Sequence, residues 1–107
     1  MKDLIRAIND TIAIIDQYCD LLILDDDNAE RYISRLTNAF SVIMPRLVAS
    51  YEGDDEDSAY MREYWIDQLK RILDALTSDD TFLKLDILKY ETKENLKEFV
   101  SMVDIDE

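Results

Sequence analysis

The sequence predicts an all-α protein, an antiparallel up-down-up-down four-helix bundle whose second helix is kinked at Pro45. Three observations carry that expectation. The 107 residues include one Gly and one Pro, where average usage is roughly 7% Gly and about 5% Pro. Folds made of many short strands consume both residues in their turns. Apolar residues recur at helical spacing through four long segments, and short runs of Asp, Asn, Ser and Thr separate them. Helices joined by short connections pack antiparallel.

In the first segment, Met1 to Leu24, the residues Leu4, Ile8, Ile12, Ile15, Cys19 and Leu22 fall on one helical stripe. Ile14, Tyr18 and Leu21 form a second apolar line beside it, so only a narrow side, with Asp3, Asp10, Asp16 and Asp20, faces water. The run Asp25-Asp26-Asp27-Asn28 stops this helix and offers caps for the next. The second helix spans about Ala29 to Ser50, with Ile33, Leu36, Phe40, Ile43 and Leu47 on its stripe. Pro45 lies inside it, and its missing N–H and its ring bend a helix about one turn upstream, near Ser41. Arg31, Arg35 and Arg46 make this the one basic segment, which sets it among acidic neighbours.

Glu52 to Ser58 is an acidic loop holding Gly53, and Asp57 or Ser58 caps a third helix that runs to about Thr77. Its stripe is Met61, Trp65, Leu69, Ile72 and Leu76. After Thr77-Ser78-Asp79-Asp80, a fourth helix from about Thr81 to Val103 carries Leu85, Leu88, Leu96, Phe99 and Val103. Residues Phe82 to Leu88 partly alternate as a strand would, but no second strand exists to pair with them, so the reading stays helical. The length fits one domain, 1–107, with one modest core.

The net charge of −13 opposes binding to nucleic acid and to anionic membrane surfaces, whose affinity comes from Lys and Arg. It favours solubility and attraction to a basic partner. The longest uncharged stretch, Leu36 to Pro45, falls short of the ~20 residues that cross a bilayer. Charges at Lys2, Asp3 and Arg6 interrupt any signal-peptide core, and the expectation is a cytoplasmic protein.

Catalytic and cofactor chemistry finds little footing here, and no cofactor is expected. The chain has no His, which removes the commonest general base and zinc ligand. Cys19, the only cysteine, sits on an apolar stripe and reads as a core residue. One Gly excludes glycine-rich phosphate loops. Glu91-x-x-Glu94 and Glu63-x-x-x-Asp67 resemble carboxylate pairs that hold Mg²⁺, but they lie off the apolar stripe on a solvated face. The acidic loop does not fit a calcium-binding loop either, because Gly53 at its sixth position would make Val48 the first ligand.

What remains is surface. Tyr60 and Tyr64 lie toward one side of the third helix, and Ile14, Leu21, Val42 and Val48 exceed what one side of a small core needs. Ile14, Tyr18, Leu21, Val42, Tyr60 and Tyr64 are the candidate protein contacts, since aromatic and apolar anchors concentrate binding energy. The leading expectation is therefore a non-enzymatic interaction module, an adaptor, chaperone or regulatory subunit that binds a protein partner, or itself as a homodimer. An acidic inhibitor or immunity-type protein that fills a basic site, and a carboxylate-dependent metal hydrolase, are the alternatives from other classes.

The segment Asp80-Thr81-Phe82-Leu83-Lys84-Leu85-Asp86-Ile87-Leu88-Lys89-Tyr90-Glu91 resembles the acidic D-x-L-x-Y-E helix near the C-terminus of small helical proteins of Gram-positive bacteria. The resemblance implies a helical fold and no particular activity.

Overall fold

Free of Gly and Pro, the first apolar stripe winds into α1 (Lys2–Ile23) in a computed structural model that describes residues 1–104. Ile105 to Glu107, the end of the expected domain, lie outside the described residues. The helix closes with the paired bonds of a Schellman end. The Asp25 N–H donates to the Leu22 carbonyl at 3.1 Å, and the Asp26 N–H donates to the Leu21 carbonyl at 3.0 Å. Asp25 supplies the left-handed backbone this needs, with φ at 52°, a region that Asp tolerates better than most residues.

The Asp26 carboxylate then accepts from the Asn28 N–H at 2.8 Å. This cap opens a 3-10 turn (Asp27–Glu30) that leads into α2 (Arg31–Ala49), so the α-helix begins slightly later than its stripe suggests. Pro45 is inside α2. Arg31, Arg35 and Arg46 do not answer acidic neighbours: all three are exposed and none enters an ion pair among the described residues. The packed side of α2 is apolar, through Leu36, Phe40, Ile43, Met44 and Leu47. Its arginines consequently face solvent, where the Arg35 guanidinium lies 5.1 Å from the centre of the Tyr32 ring.

A different acid caps the third helix from those the sequence nominates. Asp55, in extended backbone, accepts from the Ser58 N–H at 3.0 Å and from the Ser58 hydroxyl at 2.9 Å. Helix α3 (Glu56–Thr77) therefore starts ahead of Asp57, and Ser58 donates to the cap instead of being one. Gly53 is required here: its φ is 127°, and a Cβ would come within 2.8 Å of Asp55 Oδ1. Arg62 fastens the loop to α3 by donating to the carbonyls of Tyr51 and Gly53.

Asp80 caps the last rod, accepting from the Leu83 N–H at 3.2 Å. The rod is helical throughout, including 82–88, but in three parts: α4 (Thr81–Leu85), a π-helical segment (Asp86–Thr92) and α5 (Lys93–Asp104). A π turn holds more residues than an α turn. Leu88, Thr92 and Leu96, spaced by four, lie on the same buried side.

Packing joins these rods in a ring. Helix α1 packs on α2 and on the last rod, and α3 packs on the same two. Between them lies one cluster that includes Ile8, Ile15, Leu36, Ile43, Trp65, Ile72, Leu88 and Leu96. The ion pair of Lys93 with Asp16, at 2.6 Å, adds a polar tie between α5 and α1. No helix among the described residues is long and apolar enough to cross a membrane.

Candidate functional site

The face between α3 and the last rod gathers most of the chemistry. Residue spacing on α3 puts Tyr60, Tyr64, Gln68 and Arg71 along the edge that meets α5, beside the core line of Trp65, Ile72 and Leu76. Here two adjoining hollows share Tyr60, Tyr64 and Asn95.

The first is an aromatic cavity of about 240 Å³, with Tyr51, Trp65, Phe99, Met61, Met102 and Glu98 completing its lining. Its rings brace one another. Tyr64 and Trp65 are 5.5 Å apart at 86°, Trp65 and Phe99 6.2 Å apart at 90°, and Tyr51 and Phe99 6.4 Å apart at 62°. Such edge-to-face pairs are favoured by the ring quadrupole and hold the walls in place. Tyr60 and Met102 remain 68% and 58% exposed, so the cavity has an open apolar rim.

The second hollow, about 220 Å³, is lined by more polar side chains than the first and bordered by Glu63 and Asp67. Gln68, buried on the α3 stripe, donates through Nε2 to Thr92 Oγ1 at 3.0 Å and to Glu91 Oε2 at 3.1 Å. Its Oε1 accepts from Asn95 Nδ2 at 2.8 Å. Arg71 Nε pairs with the same Glu91 oxygen at 2.8 Å. Glu91 is thus half-buried and bound, not part of a solvated face, while Glu63, Asp67 and Glu94 are exposed as their positions imply.

Burial alone would raise the Glu91 pKa, but the bonds from Arg71 and Gln68 and the Arg71 charge outweigh it and hold the carboxyl below its ordinary value. A carboxyl depressed in the folded state stabilises the fold above its unfolded pKa, and that contribution fades as pH falls through the folded value. Stability curves of the wild type and Glu91→Gln, measured by urea melts, are accordingly expected to separate near neutrality and converge in acid. A constant gap down to strongly acid pH would contradict this.

The six expected contact residues do not form one surface. Tyr60 and Tyr64 line the groove just described. Ile14 and Val42 share a shallow apolar depression between α1 and α2 with Ala7, Ala39 and Ile43, where Val42 is 53% exposed. Leu21 borders a separate recess with Asn28, Arg31, Tyr32 and Arg35. Tyr18 is not a surface residue: it is fully buried, its hydroxyl without a hydrogen-bond partner among the described residues. Cys19 is buried beside it, and burial above all pushes its thiol up to about 11, which leaves little thiolate at neutral pH.

Gln68, Thr92 and Asn95 are the site residues that sequence reasoning missed. A signal existed, because Gln68 sits three positions after Trp65 and four before Ile72, on a stripe otherwise apolar. A polar residue at a core position needs partners, and these are its partners. The fold and groove thus define an all-helical chain with an aromatic, acid-rimmed cleft. Set against known protein families, curated proteins and solved structures, the chain matches none.

Proposed function

We propose that this chain is a non-enzymatic protein-interaction module that holds a basic amphipathic segment of a partner in the groove between α3 and α5. One observation carries this reading: an open cavity walled by braced aromatic rings includes the Glu98 carboxylate, and the hollow that adjoins it is bordered by Glu63 and Asp67. The rings and methionines offer apolar anchorage, and the carboxylates select a cationic flank. A net charge of −13 steers such a partner from a distance.

Trp65, the only tryptophan, lines the groove and serves as its own reporter. Titration with a synthetic Leu/Lys amphipathic helix is expected to change Trp65 emission saturably, with affinity that weakens as salt rises. A Leu/Glu peptide of the same pattern should leave the emission unchanged. Tyr60→Ala is expected to weaken the Leu/Lys complex about fivefold or more. Equal response to both peptides would defeat the proposal.

The same reading takes the four rods as an antiparallel up-down-up-down bundle, with α2 bent near Ser41 by Pro45, in a cytoplasmic protein. Its support is the brevity of the connections, the ring of neighbour contacts and the N–H that Pro45 lacks. A crystal structure with parallel neighbouring helices would overturn the bundle assignment.

A further inference from the structure

We propose that the aromatic cavity is a recognition subsite for an alkylammonium group, supplied by a lysine side chain of the partner segment. The inference rests on the interaction-module reading and names the chemistry its deepest contact selects. The lining offers a cation several favourable partners. Tyr60, Tyr64, Trp65 and Phe99 line it, and aromatic rings attract cations through their quadrupoles. Glu98 adds a carboxylate. Asn95 donates one amide N–H to Gln68 and hydrogen-bonds the Tyr64 side chain, and its Oδ1 is an acceptor.

Among the described residues neither Lys nor Arg lines the cavity, and Arg62 on α3 is engaged with the loop carbonyls of Tyr51 and Gly53. The Tyr64 hydroxyl pKa is raised, first by burial and then by the charges of Glu98 and Glu91, against a hydrogen bond from Asn95 that lowers it. A neutral apolar occupant gains nothing from the Glu98 carboxylate. A cation gains from both the rings and the carboxylate.

The test uses the full chain and choline as a free alkylammonium probe, with 3,3-dimethylbutan-1-ol as its neutral isostere. Backbone and indole NMR shifts and Trp65 emission report the binding. Choline is expected to bind about three- to thirtyfold more tightly than the isostere, the range of a partly desolvated cation–π contact. Glu98→Gln should weaken choline about two- to fivefold. A Leu/Lys peptide with acetylated lysines should lose affinity by a similar factor, which assigns the cation to lysine.

Equal binding of choline and its isostere, or indifference to Glu98→Gln, would overturn the subsite, even with the Leu/Lys peptide still bound. Choline binding without any peptide binding would instead defeat the partner reading while leaving the cation preference in place. An acetylated peptide that binds as well as the parent would remove lysine as the source.

Discussion

Truncating Trp65 to alanine is expected to lower the free energy of unfolding by about 3–5 kcal/mol, the cost of removing a large buried ring and leaving its volume unfilled. Trp65 is buried to 2% exposure and stands between Tyr64 and Phe99, edge-to-face with both. Its loss therefore removes core contacts and unbraces two walls of the groove together. Small domains have only about 5–15 kcal/mol of stability, so this one change would unfold much of the population under mild urea. Trp65→Phe separates the causes. The indole N–H is sealed from water and has no partner among the described residues, so exchanging it for a phenyl ring should cost about 1–2 kcal/mol, far less than alanine. Urea melts followed by far-ultraviolet circular dichroism are the measurement, since both variants lose the tryptophan signal. A Phe variant as unstable as the Ala variant would mean that the N–H, and not the ring, is what the site needs.

The second large effect belongs to Gln68. Gln68→Leu keeps the apolar stem and removes the amide on which Thr92, Asn95 and Glu91 converge. Thr92 is 0% exposed and water cannot replace the lost partner, so about 2–3 kcal/mol of destabilisation is expected. Adding Thr92→Val removes the stranded hydroxyl. The double variant should then be more stable than the sum of the single losses by about 1 kcal/mol or more, the coupling of two groups in one buried network. Simple additivity would show that the two side chains do not depend on each other. The consequence for function follows from position: Asn95 belongs to both hollows, so Gln68→Leu should also loosen the groove and weaken peptide binding.

Legibility in the sequence varied with the range of the interaction. The α1 stripe was readable at Leu4, Ile8, Ile15 and Cys19, all buried, as was the α3 stripe at Trp65, Ile72 and Leu76. Each follows from a period that the backbone imposes on a single segment. Caps were readable to within a residue or two. The chain breaks at Asp25–Asn28 and at Ser78–Asp80 as expected, but Asp55 rather than Asp57 took the α3 N-terminus, because two Ser58 groups reach its carboxylate. The π turn was not readable. Seen from one segment, Thr92 interrupts an apolar series; seen with α3 in place, it meets Gln68 across the interface.

By itself, then, the sequence determined four amphipathic rods, their stops and the scarcity of catalytic groups, since these depend on residue type and on spacing along a short stretch of chain. Only the tertiary structure decided which polar residues would be buried together and which aromatics would share a wall. It joined Gln68 to Asn95 and Asp16 to Lys93, and it drew Tyr18 inward while leaving Tyr60 at a rim. The physical reason is distance along the chain: periodicity is fixed within a turn or two of helix, whereas a site forms where separate rods happen to touch, and that depends on the packing of the whole.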